Sequence, residues 1–204
     1  DVCSSDLIAI LAYLLISINF CVSSQPTYIG GIINQYTAVT AVNPCEASAV
    51  VSSSAGFQAG DLVLLIQMKG ATVNSTNTAQ HGNVDDYANS GNYEIQKIKT
   101  INGNVITFEY AFLRTYDASG SVQLVSVPVY QTAIVDSALR AKSWDGTSGG
   151  ILVLQADSII FNDTVDLRGK GFRGGQKEND AACFNNGING AFDYRCATTI
   201  CGAP

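Results

Sequence analysis

The chain has 204 residues, 47% of them hydrophobic and only 14% charged, which excludes a disordered segment and leaves ample material for a buried core. A formal net charge of −6 with 11 Lys and Arg gives no basic footprint for nucleic acid or for an anionic membrane surface. Gly (19), Tyr (9) and Phe (8), with recurring Val, Ile and Thr, favour strands and tight turns over helices.

Residues 7–20, LIAILAYLLISINF, form an uncharged run too short for a comfortable transmembrane helix. They fit the apolar region of a signal peptide, with Val22 and Ser24 as the small residues before cleavage and Gln25 as the mature start. The preceding heptapeptide, DVCSSDL, is similar to a translated sequencing adapter. Residues 1–24 are therefore expected to be that stretch plus a signal peptide, and the chain a fragment of a longer protein. Export puts the remaining cysteines, Cys45, Cys183, Cys196 and Cys201, in an oxidising compartment. They are candidate disulfide partners, with three pairings open. A zinc site is disfavoured, because Cys196 and Cys201 are five apart and the single His stands at 81.

Residues 25–133 read as a strand-rich module. Residues 61–69, DLVLLIQMK, carry Leu62, Leu64, Ile66 and Met68 on one face of a strand and apolar Val63 and Leu65 on the other. Such a strand belongs inside a sheet. YEIQKIKTI and VITFEY flank Asn102-Gly103-Asn104, a hairpin with an Asn-Gly turn. Residues 121–130, SVQLVSVPVY, form another strand, with Pro128 placing its end at an edge. The polar stretch between Gly70 and Tyr93 is long for a bare connection and is the candidate contact surface of this module.

Residues 134–175 change texture. ILVLQA, SIIFN and TVDLRG are short runs separated by Asp157 and Asp163, the pattern of successive faces of a β-solenoid, resembling a parallel β-helix. Inward positions would be Ile151 and Val153 or Leu152 and Leu154, then Ile159 and Phe161, then Val165 and Leu167. Residues 176–204 read as a loop rich in Gly, Asn and Cys. The fold class is all-β: a strand-rich module followed by the start of a solenoid.

No motif points to catalysis or a cofactor. Gly169, Gly171 and Gly174 spell G-x-G-x-x-G, but no apolar helical stripe follows and no β-α-β alternation surrounds it. A structural turn accounts for it. Trp144-Asp145 lacks the roughly 40-residue repeat of a propeller and suits a plug at a core end. Asp85-Asp86 suits a solvated loop, since adjacent strand residues point to opposite faces. His81 is the sole candidate imidazole base and has no G-x-S-x-G elbow beside it. No catalytic, cofactor-binding or metal-ligating residue is assigned, and the protein is not expected to be an enzyme.

The strings GFQAGDLVLLIQMKGAT, GNYEIQKIKTINGNVITF, YDASGSVQLVSVPVY, WDGTSGGILVL and VDLRGKGFRGG, in that order, resemble one family. It is the N-terminal region of large surface proteins of gliding bacteria, exported through the type IX system and often ending in a gliding-motility-associated sorting domain. The resemblance implies an adhesin-like protein on the outer surface of a Gram-negative bacterium, with an extracellular glycan or cell-surface protein as partner. It also implies contact with the export machinery through a C-terminal domain beyond this sequence. Asp136-Ser137-Ala138, Asp157-Ser158-Ile159 and Asp163-Thr164-Val165 are similar to the O-glycosylation acceptor of such bacteria, making Ser137, Ser158 and Thr164 candidate acceptors. The alternative is the leading part of a secreted β-helix polysaccharide lyase or glycoside hydrolase. A third reading is a tailspike-like trimer, which shares the solenoid and needs no signal peptide.

Overall fold

A computed structural model describes residues 25–172. The expected signal segment, Cys183, Cys196, Cys201, Gly174 and the Gly/Asn/Cys-rich loop lie outside the described residues. Within them the chain is all-β, with helix confined to two single 3-10 turns, Pro44–Glu46 and Ala118–Gly120.

Two layers make up the molecule. Strands β2 (Tyr36–Asn43), β3 (Ser48–Val51), β4 (Leu62–Gln67), β7 (Tyr93–Asn102), β8 (Val105–Phe108) and β9 (Val122–Ser126) close into an antiparallel barrel in the order β2-β3-β8-β7-β4-β9. Strands β1 (Thr27–Ile32), β10 (Val129–Arg140) and β11 (Gln155–Phe161) form a parallel sheet in the order β1-β10-β11. A small hairpin, β5 (Thr72–Val73) with β6 (Val84–Asp86), stands apart.

Strand β4 shows why the sequence closes a barrel. Val63, Leu65 and Gln67 point inward and are buried, with Val63 and Leu65 in one cluster beside Ile98, Ile106, Phe108, Val122 and Leu124. Each such aliphatic burial stabilises by about 1.5–3 kcal/mol. The opposite face, Leu62, Leu64 and Ile66, packs with Val125, Val127 and Tyr36 against the second layer. The strand is central, between β7 and β9, as its two apolar faces require. The β7–β8 hairpin is also present, with Asn102 paired to Val105, so its loop is Gly103-Asn104. Gly103 adopts φ +58°, whereas Asn102 is still strand. The turn is thus Gly103-Asn104, one residue later than an Asn102-Gly103 turn, and only the Gly has positive φ.

The barrel interrupts the parallel sheet in sequence. Thr27 of β1 pairs with Ala133 of β10, so residues 36–126, the whole barrel, lie between two neighbouring strands. The sequence boundary at residue 133/134 therefore differs from the structural one. The parallel sheet begins at Thr27, because a strand's layer is set by its distant partner. Pro128 is not an edge of β9. It lies between β9 and β10, where the chain leaves the barrel, and its carbonyl accepts from Gln155 N (3.0 Å).

Strand β10 stacks on β11 with a constant offset: Val129 against Gln155 and Leu139 against Val165, 26 residues in both cases. That constancy is what one turn of a solenoid looks like. The three short runs are arranged differently from expectation. Residues 151–154 are not strand, β11 runs through Asp157 without a corner, and TVDLRG contributes only the single bridge at Val165. Residues 151–154 instead fill the gap between the layers. Ile151 and Val153 pack on the barrel exterior, and Leu152 and Leu154 on the inner face of the parallel sheet. Both candidate inward pairs are used, each toward a different layer.

Where the β1–β10 register shifts, between Ile29 and Gly31, Gly30 lies against Ser137. A Cβ at Gly30 would overlap the Ser137 Oγ and come within 3.0 Å of the Ser137 carbonyl, so the stack requires Gly there. Ile159 and Phe161 sit opposite buried Ala133 and Val135, on the same face, yet are 38% and 60% exposed. Val165 and Leu167 are exposed too. The expectation that these four are inward, core positions is not met in burial, because among the described residues nothing covers them.

Candidate functional site

Two buried amides join the layers. Asn34 Nδ2 donates to the carbonyls of Ser126 (2.8 Å) and Val153 (2.5 Å), and Val153 N donates back to Asn34 Oδ1 (3.4 Å). Gln123 Nε2 donates to Gly149 O (3.1 Å), and Gly149 N donates to Gln123 Oε1 (2.7 Å). Each side chain supplies the donor-acceptor pair that a neighbouring strand would otherwise provide. Tyr36 adds a third tie, its hydroxyl donating to Ile151 O (2.5 Å), and burial pushes its phenol above the ordinary value.

A third buried amide organises the polar loop. Gln67 Nε2 donates to Lys69 O (2.8 Å) and Ala88 O (2.9 Å), and its Oε1 accepts from Asp117 N (2.8 Å). Thr115 Oγ1 donates to Asn89 Oδ1 (2.9 Å), and Asn92 Nδ2 donates to Thr115 O (3.0 Å). The base of the residue 70–92 loop and the 113–117 segment are thereby held together. Around them, Tyr87, Tyr93, Ile95, Tyr110 and Leu113 are exposed. Tyr93 and Ile95 alternate along the outer face of β7, and the Arg114 guanidinium stands 6.0 Å from the Tyr93 ring centre. Beneath this surface Glu94 Oε2 accepts from Leu113 N (3.0 Å) and from Gln96 Nε2 (3.3 Å). Burial, then the nearby Glu94 carboxylate, drive the Tyr116 phenol well above its ordinary value.

The remaining sequence candidates are dispersed. His81 lies in the loop with Nδ1 3.0 Å from Thr76 O. Asp86 Oδ1 accepts from Ala88 N (2.9 Å), capping a turn, and Asp85 is exposed on the same short strand. Trp144 is buried, with Phe172 edge-on at 4.9 Å and Lys69 Nζ 5.6 Å from its ring. Its neighbour Asp145 accepts from Lys142 Nζ (2.6 Å) and from the backbone of Thr147 and Ser148. The Lys142 ammonium, followed by those N–H groups, holds Asp145 far below the usual carboxylate range. Gly169 (φ +65°) sits in the turn closed by Lys170 N donating to Leu167 O (3.1 Å), a structural corner. Cys45 is exposed on the 3-10 turn after β2. Ser137, Ser158 and Thr164 are all exposed, Ser137 on β10, Ser158 on β11 and Thr164 just beyond the end of β11. No group of three or more His, Cys, Asp or Glu suited to a metal occurs among the described residues.

Where the barrel meets the parallel sheet there is a cleft of about 330 Å³, lined by Gly56, Gly60, Asp61, Leu62, Ser126, Val127, Pro128 and Val129. Sequence reasoning missed this cleft and the three buried amides. Gln67 and Gln123 did leave a signal, as polar residues inside LVLLIQM and VQLV.

No family model and no curated protein matches the chain. Among solved structures it is similar to the Gp54 tailspike of Acinetobacter baumannii bacteriophage AP22, determined in complex with A. baumannii capsular saccharide. Identity is 11%, the TM-score 0.34, and the match covers 69% of this chain and 28% of that one. It is also similar to the tailspike gp49 of Pseudomonas phage LKA1, with 13% identity, TM-score 0.32 and coverage of 69% and 25%. A third similar structure is the tailspike gp61 of Pseudomonas phage phi297, with 15% identity, TM-score 0.29 and coverage of 65% and 17%. The chain thus spans little more than a quarter of these proteins at most. At such scores the likeness says nothing of function.

Proposed function

We propose that this chain is part of an exported cell-surface protein in which the barrel presents a glycan-contacting face and the parallel sheet supports it. The supporting observation is the outer face of β7 with its adjoining loops. There, exposed Tyr93, Ile95 and Leu113 stand beside Arg114 and the fixed amide and hydroxyl groups of Asn89, Asn92 and Thr115. Exposed tyrosines offer rigid amphipathic faces at low entropic cost, and fixed amides and hydroxyls can meet the hydroxyls of a sugar. The family resemblance extends the proposal to the surface of a gliding, Gram-negative bacterium. The role is adhesive or structural, with no reaction step assigned.

The test is retention of the purified chain on immobilised bacterial polysaccharides. Tyr93→Ala, at an exposed position, should leave the far-UV spectrum unchanged and weaken retention at least tenfold. Absence of retention on every polysaccharide, or unaltered retention of the variant, would contradict the proposal. Release of reducing ends or unsaturated sugars from a retained polysaccharide would replace adhesion with cleavage.

A further inference from the structure

We infer that the cleft between the barrel and the parallel sheet is a second, separate saccharide subsite, one that takes a single uncharged sugar ring. This inference rests on the glycan-contacting role proposed above, but the cleft involves none of the residues named there. At about 330 Å³ it lies at the small end of the roughly 300–1,000 Å³ range of small-molecule sites. That suits one ring rather than an extended chain.

The lining divides into an apolar side and an acceptor-rich polar side. Half-buried Leu62 and Pro128 and exposed Val129 supply the first, against which the C–H face of a pyranose can lie, with buried Val127 behind them. Asp61 and Ser126 supply the second. The Asp61 carboxylate is oriented by Gln58 N, which donates to Oδ2 (2.8 Å), and no cation pairs with it among the described residues. Ser126 Oγ accepts from Gln35 N (2.8 Å), which fixes the oxygen and leaves its proton free to donate. Neighbouring backbone donors are already used: Gly60 N binds Ile98 O (2.8 Å), Asp61 N binds Gln58 O (3.2 Å), Ser126 N binds Gln35 O (2.9 Å) and Val127 N binds Leu62 O (2.7 Å). Apart from the Ser126 hydroxyl, the donors must therefore come from the ligand. Neighbouring hydroxyls of a sugar fit that requirement, whereas a uronate or phosphate would face Asp61 with like charge. Lys97, whose strand position pairs with Leu62, already has the Glu109 carboxylate at 3.3 Å, which competes with any anion for it. Gly60 holds φ +96°, a backbone conformation that favours glycine, so the rim of the cleft carries no side chain there.

The experiment follows backbone amide resonances of the full chain during titration with methyl β-glucoside, methyl β-galactoside and methyl β-glucuronide. Titration runs to about 20 mM, well above a millimolar Kd. At least one neutral glycoside should shift Gly60, Asp61, Ser126, Val127 and Val129 together, and the glucuronide should need at least tenfold more. Asp61→Asn, which keeps the shape and removes the charge, should bring the glucuronide to within threefold of the neutral sugar. Silence of these amides toward both neutral glycosides would overturn the inference, and so would equal wild-type affinity for the glucuronide. If polysaccharide retention is lost in Tyr93→Ala while the cleft stays silent, the glycan-contacting face stands and the cleft inference alone fails.

Discussion

The two layers of this protein treat their edges in opposite ways. In the barrel each strand has a neighbour on both sides, and the interior holds Val63, Leu65, Ile106 and Leu124 with no exposed surface. In the parallel sheet β1 and β11 are open edges, and Ile160 and Phe161 of β11 are 47% and 60% exposed. Sequence hydrophobicity hardly separates them, since IIF at 159–161 is about as apolar as LLI at 64–66. The difference lies in closure. A barrel covers itself, whereas a parallel stack is buried only as far as its next turn and its return segment reach.

The largest expected effect comes from contrasting one substitution in each layer. Leu65→Ala should cost about 2–5 kcal/mol in urea unfolding, by lost transfer energy plus a cavity. Ile160→Ala should stay within about 0.5 kcal/mol, as a surface change does. Similar losses at the two positions would show β11 to be covered and would erase the contrast.

Next comes the joint. Gln123→Ala leaves the buried N–H and C=O of Gly149 unpaired, a loss of about 1–3 kcal/mol. Hydrogen exchange should quicken across residues 142–154 while the amides of β3 and β8 keep their protection. Uniform quickening would mean that the two layers unfold as one.

The effect at the β1–β10 contact of Gly30 should be of similar size to that at the joint. Gly30→Ala forces the added methyl into Ser137, an overpacking cost of about 1–3 kcal/mol. Ser137→Gly in the same chain should recover part of it. A double variant no more stable than Gly30→Ala alone would show that the backbone contact, not the hydroxyl, sets the spacing.

The smallest effect is the acid response of the parallel layer. Asp145 and Asp166 both have folded-state values far below the ordinary one, the first held mainly by Lys142 and the second by Arg168. A lowered folded value means stability that is fully present above the unfolded value, about pH 4, and lost as pH falls through the folded value. Both pairs are largely solvent-exposed, so the loss should be slight. Asp145→Asn should flatten the melting temperature between about pH 4 and pH 2, whereas the wild type declines. An equal decline in both would show the Lys142 contact to be inert.

The elements of the barrel were legible where local pattern and burial coincide. The two apolar faces of residues 62–67 place β4 between neighbours, and the residues around Gly103 announce the β7–β8 hairpin. Closure and the layer assignment were not legible. Nothing near Thr27 reveals that its partner is Ala133. The solenoid character of residues 134–175 was visible as apolar texture, but neither that its sheet already begins before residue 134 nor which run is strand and which is filler. ILVL and SIIF are chemically alike, and only Asn34, Gln123 and Tyr36, distant in sequence, make the first a wedge. The cleft was not visible at all, since it is assembled from residues 56–62 and 126–129, brought together by the β4–β9 pairing.

The placement of the barrel between β1 and β10 bears on the order of folding. Pairing Thr27 with Ala133 in an open chain closes a loop about four times longer than pairing β10 with β11, an added entropy of roughly 1.2 kcal/mol from length alone. A closed barrel removes most of that search. Its entry strand β2 and exit strand β9 are hydrogen-bonded neighbours, with Tyr36 beside Val125, so the chain enters and leaves at one place. Residues 33–35 and 127–128 then act as two short tethers that deliver β1 and β10 side by side. Among the described strands, the one synthesised earliest is thus among the last able to find its partner, and the barrel is the template that aligns the parallel stack.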